Sequence, residues 1–225
     1  MITIFTGTPG SGKSLHAVKI IFDVLVYAKR NVIANFEINR DIVQYKDSKA
    51  QLKNKKRKKT GLFFFFADDV ITPKLLIQYA KKFHVARKEH QTLIVFDECS
   101  SDDLFNNRVW NTKGRSEWIT FFRQHRKLGF DVIFITQSDK LIDKAMRCFI
   151  EYEVKHRKAN NFKLFGKLLG LLSGGSLFFA IEYWYGIREK TNTTMFKYKR
   201  KWGDMFDTYK IFGELKAKKT TVKIT

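Results

Sequence analysis

One eight-residue motif near the start of the chain restricts the fold more than any other feature of the sequence. Residues 7–14 read Gly-Thr-Pro-Gly-Ser-Gly-Lys-Ser and match the G-x-x-x-x-G-K-[ST] phosphate-binding loop. An apolar run at residues 2–5 precedes the motif, and a helix-like stretch at residues 15–21 follows it. In this strand–loop–helix context the motif forms an anion site, so the sequence predicts an α/β fold that binds a nucleoside triphosphate.

The motif gives its residues distinct expected roles. The glycines let successive backbone N–H groups turn into a concave anion site, and the following helix adds the positive end of its dipole. Lys13 is expected to reach the β- and γ-phosphates, and the Ser14 hydroxyl is expected to ligate Mg²⁺. The predicted cofactors are therefore ATP and Mg²⁺. The predicted cofactor-binding residues are Gly7, Thr8, Pro9, Gly10, Ser11, Gly12, Lys13 and Ser14.

A second apolar run delivers two carboxylates. Residues 92–96 read Thr-Leu-Ile-Val-Phe, and Asp97 and Glu98 follow directly. Asp97 is expected to hold the Mg²⁺ shell. Glu98, one residue further, is expected to polarise the attacking water. Adjacent acids also occur in ordinary turns, so this assignment depends on the phosphate-binding loop earlier in the chain.

A polar residue ends the next predicted strand. Residues 131–137 read Asp-Val-Ile-Phe-Ile-Thr-Gln, an apolar run that finishes at Gln137. In P-loop ATPases with an added strand between the two motifs, a polar residue at this tip senses the γ-phosphate and the water. Gln137 is therefore a candidate catalytic residue, and a plain polar strand end is the alternative.

Two arginines on a predicted helix are further catalytic candidates. The segment 115–128 has a helical pattern, and Arg123 and Arg126 are three residues apart on one face. Either could act as an arginine finger on the γ-phosphate of a neighbouring subunit. DNA contact or a solvated face fits these arginines equally well. His125 beside them is expected to be a surface residue.

The net charge restricts the partners. The chain has 43 Lys and Arg against 22 Asp and Glu, a formal charge of +21. A field of this sign attracts polyanions, either nucleic acid or an anionic membrane surface, although a lysine-rich composition with a solvated surface is the alternative. In the run at residues 53–59 every position but Asn54 is cationic. This run is expected to be an exposed loop that either steers DNA or lipid or is a solvated insertion.

The predicted organisation is one α/β domain with a mainly parallel central sheet flanked by helices. A P-loop ATPase core over residues 1–147 is expected to continue into a β-rich extension of the same domain over residues 148–225. Within the core, Phe63–Phe66 is predicted as a buried strand. A helix is predicted from Pro73 to about Lys88, with the proline as its first residue.

One apolar segment raises the question of a membrane. The stretch from Leu168 to Ile181 is uncharged, but Gly174 and Gly175 interrupt it. A bilayer span takes about 20 apolar residues, so a core hairpin or a membrane-surface segment is favoured. The N-terminus has no basic region ahead of an apolar stretch, so a secretory signal is not expected. The expected location is the host cytoplasm, at the cytoplasmic face of the inner membrane.

Taken in order, these motifs resemble the zonular occludens toxin (Zot) domain, the cytoplasmic ATPase domain of filamentous-phage assembly proteins. The specific part is the basic helix–Gly–x–Asp–strand–Thr–Gln run over residues 123–137, and the resemblance covers roughly residues 1–210. It implies an ATP-driven motor that helps extrude phage DNA at the host inner membrane, similar to the hexameric DNA-pumping ATPases of the FtsK and HerA type. The partners that it implies are single-stranded DNA, further copies of the chain in a ring, and phage assembly and coat proteins. Because the sequence has no clear span, membrane association is expected through a partner or a surface segment.

Two other functions stay open at the level of sequence. A nucleotide or small-molecule kinase would need a lid and an acceptor pocket, and residues 53–59 are the one candidate lid. A non-catalytic scaffold that binds DNA or membrane would have a vestigial nucleotide site. The presence of Lys13, Ser14, Asp97 and Glu98 favours catalysis over that scaffold.

Overall fold

A single eight-stranded sheet forms the framework of the fold. The computed structural model describes residues 1–43, 60–100, 104–106, 112–159 and 177–206. The strands are β1 (Ile2–Thr6), β2 (Asn31–Ala34), β3 (Phe63–Phe65), β4 (Thr92–Phe96), β5 (Phe130–Ile135), β6 (Tyr152–Lys158), β7 (Leu177–Trp184) and β8 (Lys190–Lys197). Their order across the sheet is β3-β2-β4-β5-β1-β6-β7-β8.

The first six strands in that order are parallel. β5 pairs with β1 on one side and with β4 on the other, so one strand separates the strand before the phosphate-binding loop from the strand before the two acids. Both faces of this region are covered, which explains the continuous apolar runs of β1, β4 and β5. The carboxyl ends of parallel strands meet at one edge of the sheet, and this edge carries the candidate site.

On the β1 side, the sheet continues through β6 into the antiparallel strands β7 and β8. β6 is parallel to β1, β7 is antiparallel to β6, and β8 is antiparallel to β7. The predicted fold class, a mainly parallel sheet with a β-rich C-terminal extension, is confirmed. The boundary between residues 147 and 148 stays a prediction.

Helices cover the two faces of the sheet. They are α1 (Lys13–Asp23, continued by a π-helical turn over Val24–Ala28), α2 (Pro73–Phe83), α3 (Thr112–Leu128), α4 (Lys144–Arg147) and α5 (Arg200–Met205). α1 and the short α5 pack on one face, where Trp202 and Met205 of α5 join the apolar side chains of α1 and β2. α2, α3 and the short α4 pack on the other, around a cluster rich in aromatic rings. None of the helices in the described ranges combines the length and the apolar character needed to cross a bilayer.

Local signals explain where two of these helices begin or end. The Thr72 hydroxyl accepts a hydrogen bond from the backbone N–H of Leu75 at 3.3 Å, and Pro73 is the first residue of α2. α3 ends at Leu128 because Gly129 follows with a φ of +84°, the left-handed conformation that suits glycine.

Three sequence-based expectations are wrong. The strand β3 is not buried: it lies at the edge of the described sheet, where it pairs with β2, and Phe65 is 36% exposed. α2 ends at Phe83 rather than near Lys88, because His84 adopts an extended conformation. His125 is buried, not on the surface. Its ring lies on the buried side of α3, and Nδ1 hydrogen-bonds the Phe122 carbonyl at 2.6 Å.

Two segments singled out by sequence lie outside the described residues. They are the basic run at residues 53–59 and the part of the apolar stretch before Leu177.

Candidate nucleotide-binding site

The loop between β1 and α1 has the backbone conformation that its glycines allow. Gly10 has a φ of +72° and Gly12 a φ of +93°, both in the left-handed region. A Cβ at Gly10 would meet no atom within 4 Å, so the loop is open there. A Cβ at Gly7 would lie 2.6 Å from the backbone oxygen of His156, so the loop is pressed against β6 on its other side.

The amino end of α1 is suited to an anion. Its N-cap is Gly12, and no side chain within the described part of the chain caps it. The first backbone N–H groups of a helix have no partners within the helix, and they lie at the positive end of its dipole. The buried hydroxyl of Ser11 also has no hydrogen-bond partner among the described residues. An open loop and an uncapped helix end therefore fit the phosphates of a nucleotide.

The two predicted motifs meet at one point. The Ser14 hydroxyl donates a hydrogen bond to Oδ2 of Asp97 at 3.2 Å, although 83 residues separate the two in sequence. Burial raises the pKa of Asp97, while the hydrogen bonds from the Glu98 backbone and the Ser14 hydroxyl act in the opposite direction. A hydroxyl and a carboxylate at this distance are oxygen ligands of the kind that Mg²⁺ takes alongside phosphate oxygens.

Lys13 lies in the same cluster. Its ammonium donates hydrogen bonds to the backbone oxygens of Gly7 at 2.7 Å and Thr8 at 3.2 Å. Burial lowers its pKa, and the charges of Asp97 and Glu98 partly offset that effect. The cation is therefore held inside its own loop, next to both predicted acids.

Glu98 occupies an unusual backbone position. It is exposed, directly follows Asp97, and has a φ of +46°. This left-handed residue turns the chain sharply at the end of β4, so the two adjacent carboxylates have different surroundings: Asp97 is half-buried and Glu98 faces solvent. A solvent-facing carboxylate beside a phosphate site is available to an attacking water.

Sequence reasoning missed Asn35. Its side chain accepts a hydrogen bond from the Asp97 backbone N–H at 2.7 Å, and its amide donates to the Asp97 backbone oxygen at 2.8 Å. The same amide donates to Oδ1 of Asp68 at 2.7 Å. The available signal was a polar residue at the end of the apolar run of β2, the strand that pairs with β4.

Gln137 lies next to the phosphate-binding loop. It follows β5 at the same sheet edge, and its backbone oxygen accepts a hydrogen bond from the Gly7 N–H at 3.3 Å. Its side chain is exposed. The structure thus brings Gln137 to the loop, and the sensing role of its side chain stays a prediction.

The structure does not bring the two arginines to this site within one chain. Arg126 forms an ion pair with Glu89, with its Nε 3.1 Å from Oε2, near the amino ends of β4 and β5. That is the sheet edge opposite the phosphate-binding loop. Arg123 is exposed on α3, one turn earlier. Their role as fingers toward a neighbouring subunit stays a prediction.

The strands β6, β7 and β8 pack against the phosphate-binding loop and the first turn of α1. His16 of α1 and His156 of β6 are hydrogen-bonded, with Nδ1 and Nε2 2.8 Å apart. The His16 ring stacks on Phe196 of β8 at a centroid distance of 4.8 Å. A Cβ at Gly12 would lie 2.6 Å from the Phe178 ring of β7. Each strand of the extension therefore contacts the loop or the first turn of α1.

Burial of the histidine pair keeps both rings neutral. It lowers the pKa of His16 to about 4 and the pKa of His156 to about 3, and the neighbouring ring adds to the effect on His156. Two neutral imidazoles can share one hydrogen bond, with one ring as the donor and the other as the acceptor.

The open glycine loop, the uncapped helix end and the contact between Ser14 and Asp97 define a P-loop NTPase, with β5 inserted between the two motif strands. The sequence model of the family described as Zonular occludens toxin (Zot) matches residues 1–170. The chain belongs to this family, as the resemblance in its motifs predicts.

Similar proteins agree with this assignment. The Gene 1 protein of Enterobacteria phage I2-2 is 44% identical over 88 residues, which are 38% of this chain and 24% of that protein. The N-terminal domain of the zonular occludens toxin from Neisseria meningitidis superimposes with a TM-score of 0.50 at 18% identity, over 92% of this chain and 98% of that one. The DNA-packaging ATPase from Sulfolobus turreted icosahedral virus superimposes with a TM-score of 0.50 at 16% identity, over 87% and 96%.

The chain spans only part of its curated relatives. The matched segments cover 24% of the I2-2 protein and, in a longer match, 47% of the Gene 1 protein of Escherichia phage If1. The structural matches, at such low identity, establish the NTPase fold alone.

Proposed function

We propose that this chain is an ATP-hydrolysing motor for filamentous-phage assembly, which couples hydrolysis to extrusion or packaging of phage DNA at the host membrane. The observation that carries the enzymatic part is the hydrogen bond between Ser14 and Asp97, with Lys13 in the same cluster. Membership of the Zot family and the similarity to phage Gene 1 proteins support the biological setting.

Each residue of the cluster has one task in this proposal. Mg²⁺, when bound, neutralises charge on the phosphate oxygens as the terminal bond breaks. Ser14 and Asp97 would hold the ion. Lys13 would exchange its contacts with backbone oxygens for the β- and γ-phosphates, and the backbone N–H groups of the loop would hold the remaining phosphate oxygens.

Glu98 is the general base in this proposal. Its carboxylate accepts a proton from water as the water oxygen bonds to the γ-phosphorus and the bond from that phosphorus to the bridging oxygen breaks. ADP and inorganic phosphate leave. Gln137 would orient the water from the neighbouring strand end. This assignment favours hydrolysis over a kinase reaction, because water can reach the exposed carboxylate of Glu98.

The partners in this proposal are single-stranded phage DNA, further copies of the chain in a ring, and phage assembly and coat proteins. The net charge of +21 supports a polyanionic cargo. Within one chain neither Arg123 nor Arg126 reaches the site, so in a ring their proposed target is the site of the neighbouring subunit.

A Glu98→Gln variant tests the enzymatic assignment. We expect it to bind ATP as the parent does but to release phosphate at least about 100-fold more slowly, because the general base is lost. Lys13→Ala is expected to lose nucleotide binding. Glu117→Gln, on the exposed face of α3, is the matched control and is expected to keep the parental rate.

The measurement is ADP and phosphate release by the assembled protein, with and without single-stranded DNA. A Glu98→Gln protein that hydrolyses ATP at the parental rate would falsify the base assignment. A phosphorylated acceptor in place of free phosphate would support the kinase alternative. An absence of turnover in every oligomeric state would support the scaffold alternative.

A further inference from the structure

Exposed apolar side chains gather at the sheet edge opposite the nucleotide site. Tyr27 lies at the end of the π-helical turn that continues α1, Leu62 directly before β3, Phe83 at the end of α2, and Val85 two residues later. Their exposed fractions are 64%, 56%, 43% and 65%. We call these four residues the amino-edge patch, since they lie beside the amino ends of the parallel strands.

Hydrogen bonds hold the segments of this patch together. The Leu62 N–H donates to Oδ1 of Asn31 at 2.9 Å, and Nδ2 of Asn31 donates to the Tyr79 hydroxyl of α2 at 2.8 Å. The Val85 N–H donates to Oε1 of Gln91, just before β4, at 2.7 Å. The patch therefore spans the ends of β3, β2 and β4, which are neighbouring strands about 4.8 Å apart.

The patch is surrounded by cationic side chains. The carboxylates nearby are already paired: Glu89 contacts Arg126, and Oδ2 of Asp131 lies 2.7 Å from Nη1 of Arg30. Further lysines and arginines in the described segments around the patch are Lys29, Lys81, Lys82, Arg87, Lys88 and Lys127.

This combination fits an anionic phospholipid surface better than a nucleic acid. Single-stranded nucleic acid gains from aromatic faces on which bases stack, and only Tyr27 and Phe83 of the four patch residues offer one. A membrane interface takes up both aliphatic and aromatic side chains, and its anionic headgroups attract the lysines and arginines. The Lys82 ammonium lies 5.4 Å from the centroid of the Phe83 ring, so charge and apolar surface adjoin directly.

We infer that the amino-edge patch docks this domain on an anionic lipid bilayer, so that the nucleotide site at the opposite sheet edge faces away from the membrane. The inference makes the membrane location of the proposed function specific to one surface. Its test needs no nucleotide, so its failure would leave the ATPase assignment standing.

The experiment measures sedimentation of the full chain with vesicles in the absence of nucleotide. Vesicles of phosphatidylcholine alone are compared with vesicles of equal parts phosphatidylcholine and phosphatidylglycerol. We expect binding to the anionic vesicles only, and weaker binding as salt screens the cations. A Leu62→Ser/Val85→Ser variant is expected to lose at least about fivefold in affinity, because two apolar side chains no longer enter the interface.

The chain offers a matched control at the other edge of the sheet. Leu141, in the turn after β5, is 41% exposed, and Val70, in the turn after β3, is 48% exposed. A Leu141→Ser/Val70→Ser variant removes the same residue types and is expected to bind vesicles as the parent does. ATP turnover without vesicles is expected to be parental in both variants, which shows that both are folded.

Several outcomes would overturn the inference. Equal binding to neutral and anionic vesicles, or no binding to either, excludes an anionic lipid partner. Equal loss in both double variants excludes this surface. If Leu62→Ser/Val85→Ser instead reduces self-association or single-stranded DNA binding with vesicle binding unchanged, the patch is a contact between copies or a nucleic-acid surface.

Discussion

The Asn35 side chain holds the peptide groups on both sides of the Asp97 side chain. One amide accepts from the Asp97 N–H and donates to the Asp97 carbonyl, so the backbone at the end of β4 has little freedom to rotate. Both adjacent acids depend on that backbone for their direction. Asn35 is therefore a positioning residue, since its hydrogen bonds act on the backbone that carries the acids and not on the phosphate-binding loop.

An Asn35→Ala variant should separate positioning from binding. We expect kcat for ATP hydrolysis to fall about 10- to 100-fold, because small displacements of catalytic groups are costly in rate. The Kd for ATP should change less than about twofold, since the loop that binds the phosphates is untouched. Steady-state hydrolysis and equilibrium nucleotide binding give the two values.

The control for this variant is Asn192→Ala. Asn192 is exposed on β8, far from the nucleotide site in the sheet order, and its side chain accepts a hydrogen bond from the next backbone N–H along the strand. It should behave as the parent. If Asn35→Ala weakened ATP binding and kcat to the same degree, a general loss of structure would explain it and the positioning role would be excluded.

At the scale of elements, β6 and α1 are joined through the neutral pair of His156 and His16. Both rings titrate well below the usual histidine pKa of about 6.5 in the folded state. The unfolded chain therefore binds more protons than the folded chain between about pH 6.5 and pH 4. Stability is full above pH 6.5 and falls as the pH drops through this window.

A His156→Gln variant tests this coupling. We expect the free energy of unfolding of the parent to fall with decreasing pH by about 1.4 kcal/mol per pH unit for each histidine that the unfolded chain protonates. The variant should have a shallower slope, because it lacks one of the two groups. Urea unfolding at several pH values between 7.5 and 5 gives both slopes.

The pH dependence of the unfolding free energy, not its absolute value, tests the role of the histidine pair. His84 and His125 also have pKa values lowered by burial, and they contribute equally to parent and variant. Identical slopes in the two proteins would mean that the pair does not carry the pH dependence.

The same elements indicate how much of the molecule could be predicted from sequence. β1, β4 and β5 were predictable because they are short apolar runs followed by residues with known chemistry. The exposure of β3 could not be predicted, because a run of phenylalanines has the same sequence pattern at the edge of a sheet as in its centre. His125 was misassigned because the residues around it are charged, whereas its ring lies beneath the helix.

Contacts between residues that are distant in sequence were the part of the site that the sequence could not predict in full. Ser14 and Asp97 could be paired because both belong to known motifs. Asn35 and the pairing of His16 with His156 have no such motif, and their contacts depend on strand order. The order β2-β4 and the position of β6 beside β1 follow from packing of the whole sheet.

At the scale of the whole molecule, the positive charge should govern any contact with DNA. If phosphates carry the interaction, binding releases condensed counterions, and the logarithm of the affinity falls linearly with the logarithm of the salt concentration. The slope is about −0.7 for each phosphate contacted on a single strand.

Binding of a labelled single-stranded oligonucleotide at several salt concentrations tests this expectation. We expect a steep loss of affinity between low and physiological ionic strength. Salt-insensitive binding would exclude the phosphate-dominated mode, whatever the outcome for ATP hydrolysis or for lipid.

The phosphate-binding loop and the first turn of α1 pack against strands that come much later in the sequence. Gly7 meets the His156 backbone, Gly12 meets Phe178, and His16 stacks on Phe196. During synthesis the glycine motif leaves the ribosome well before β6, β7 and β8, so these contacts are complete only after β8 has emerged. A nascent chain would therefore complete its nucleotide site late, after the last strand of the described sheet has been translated.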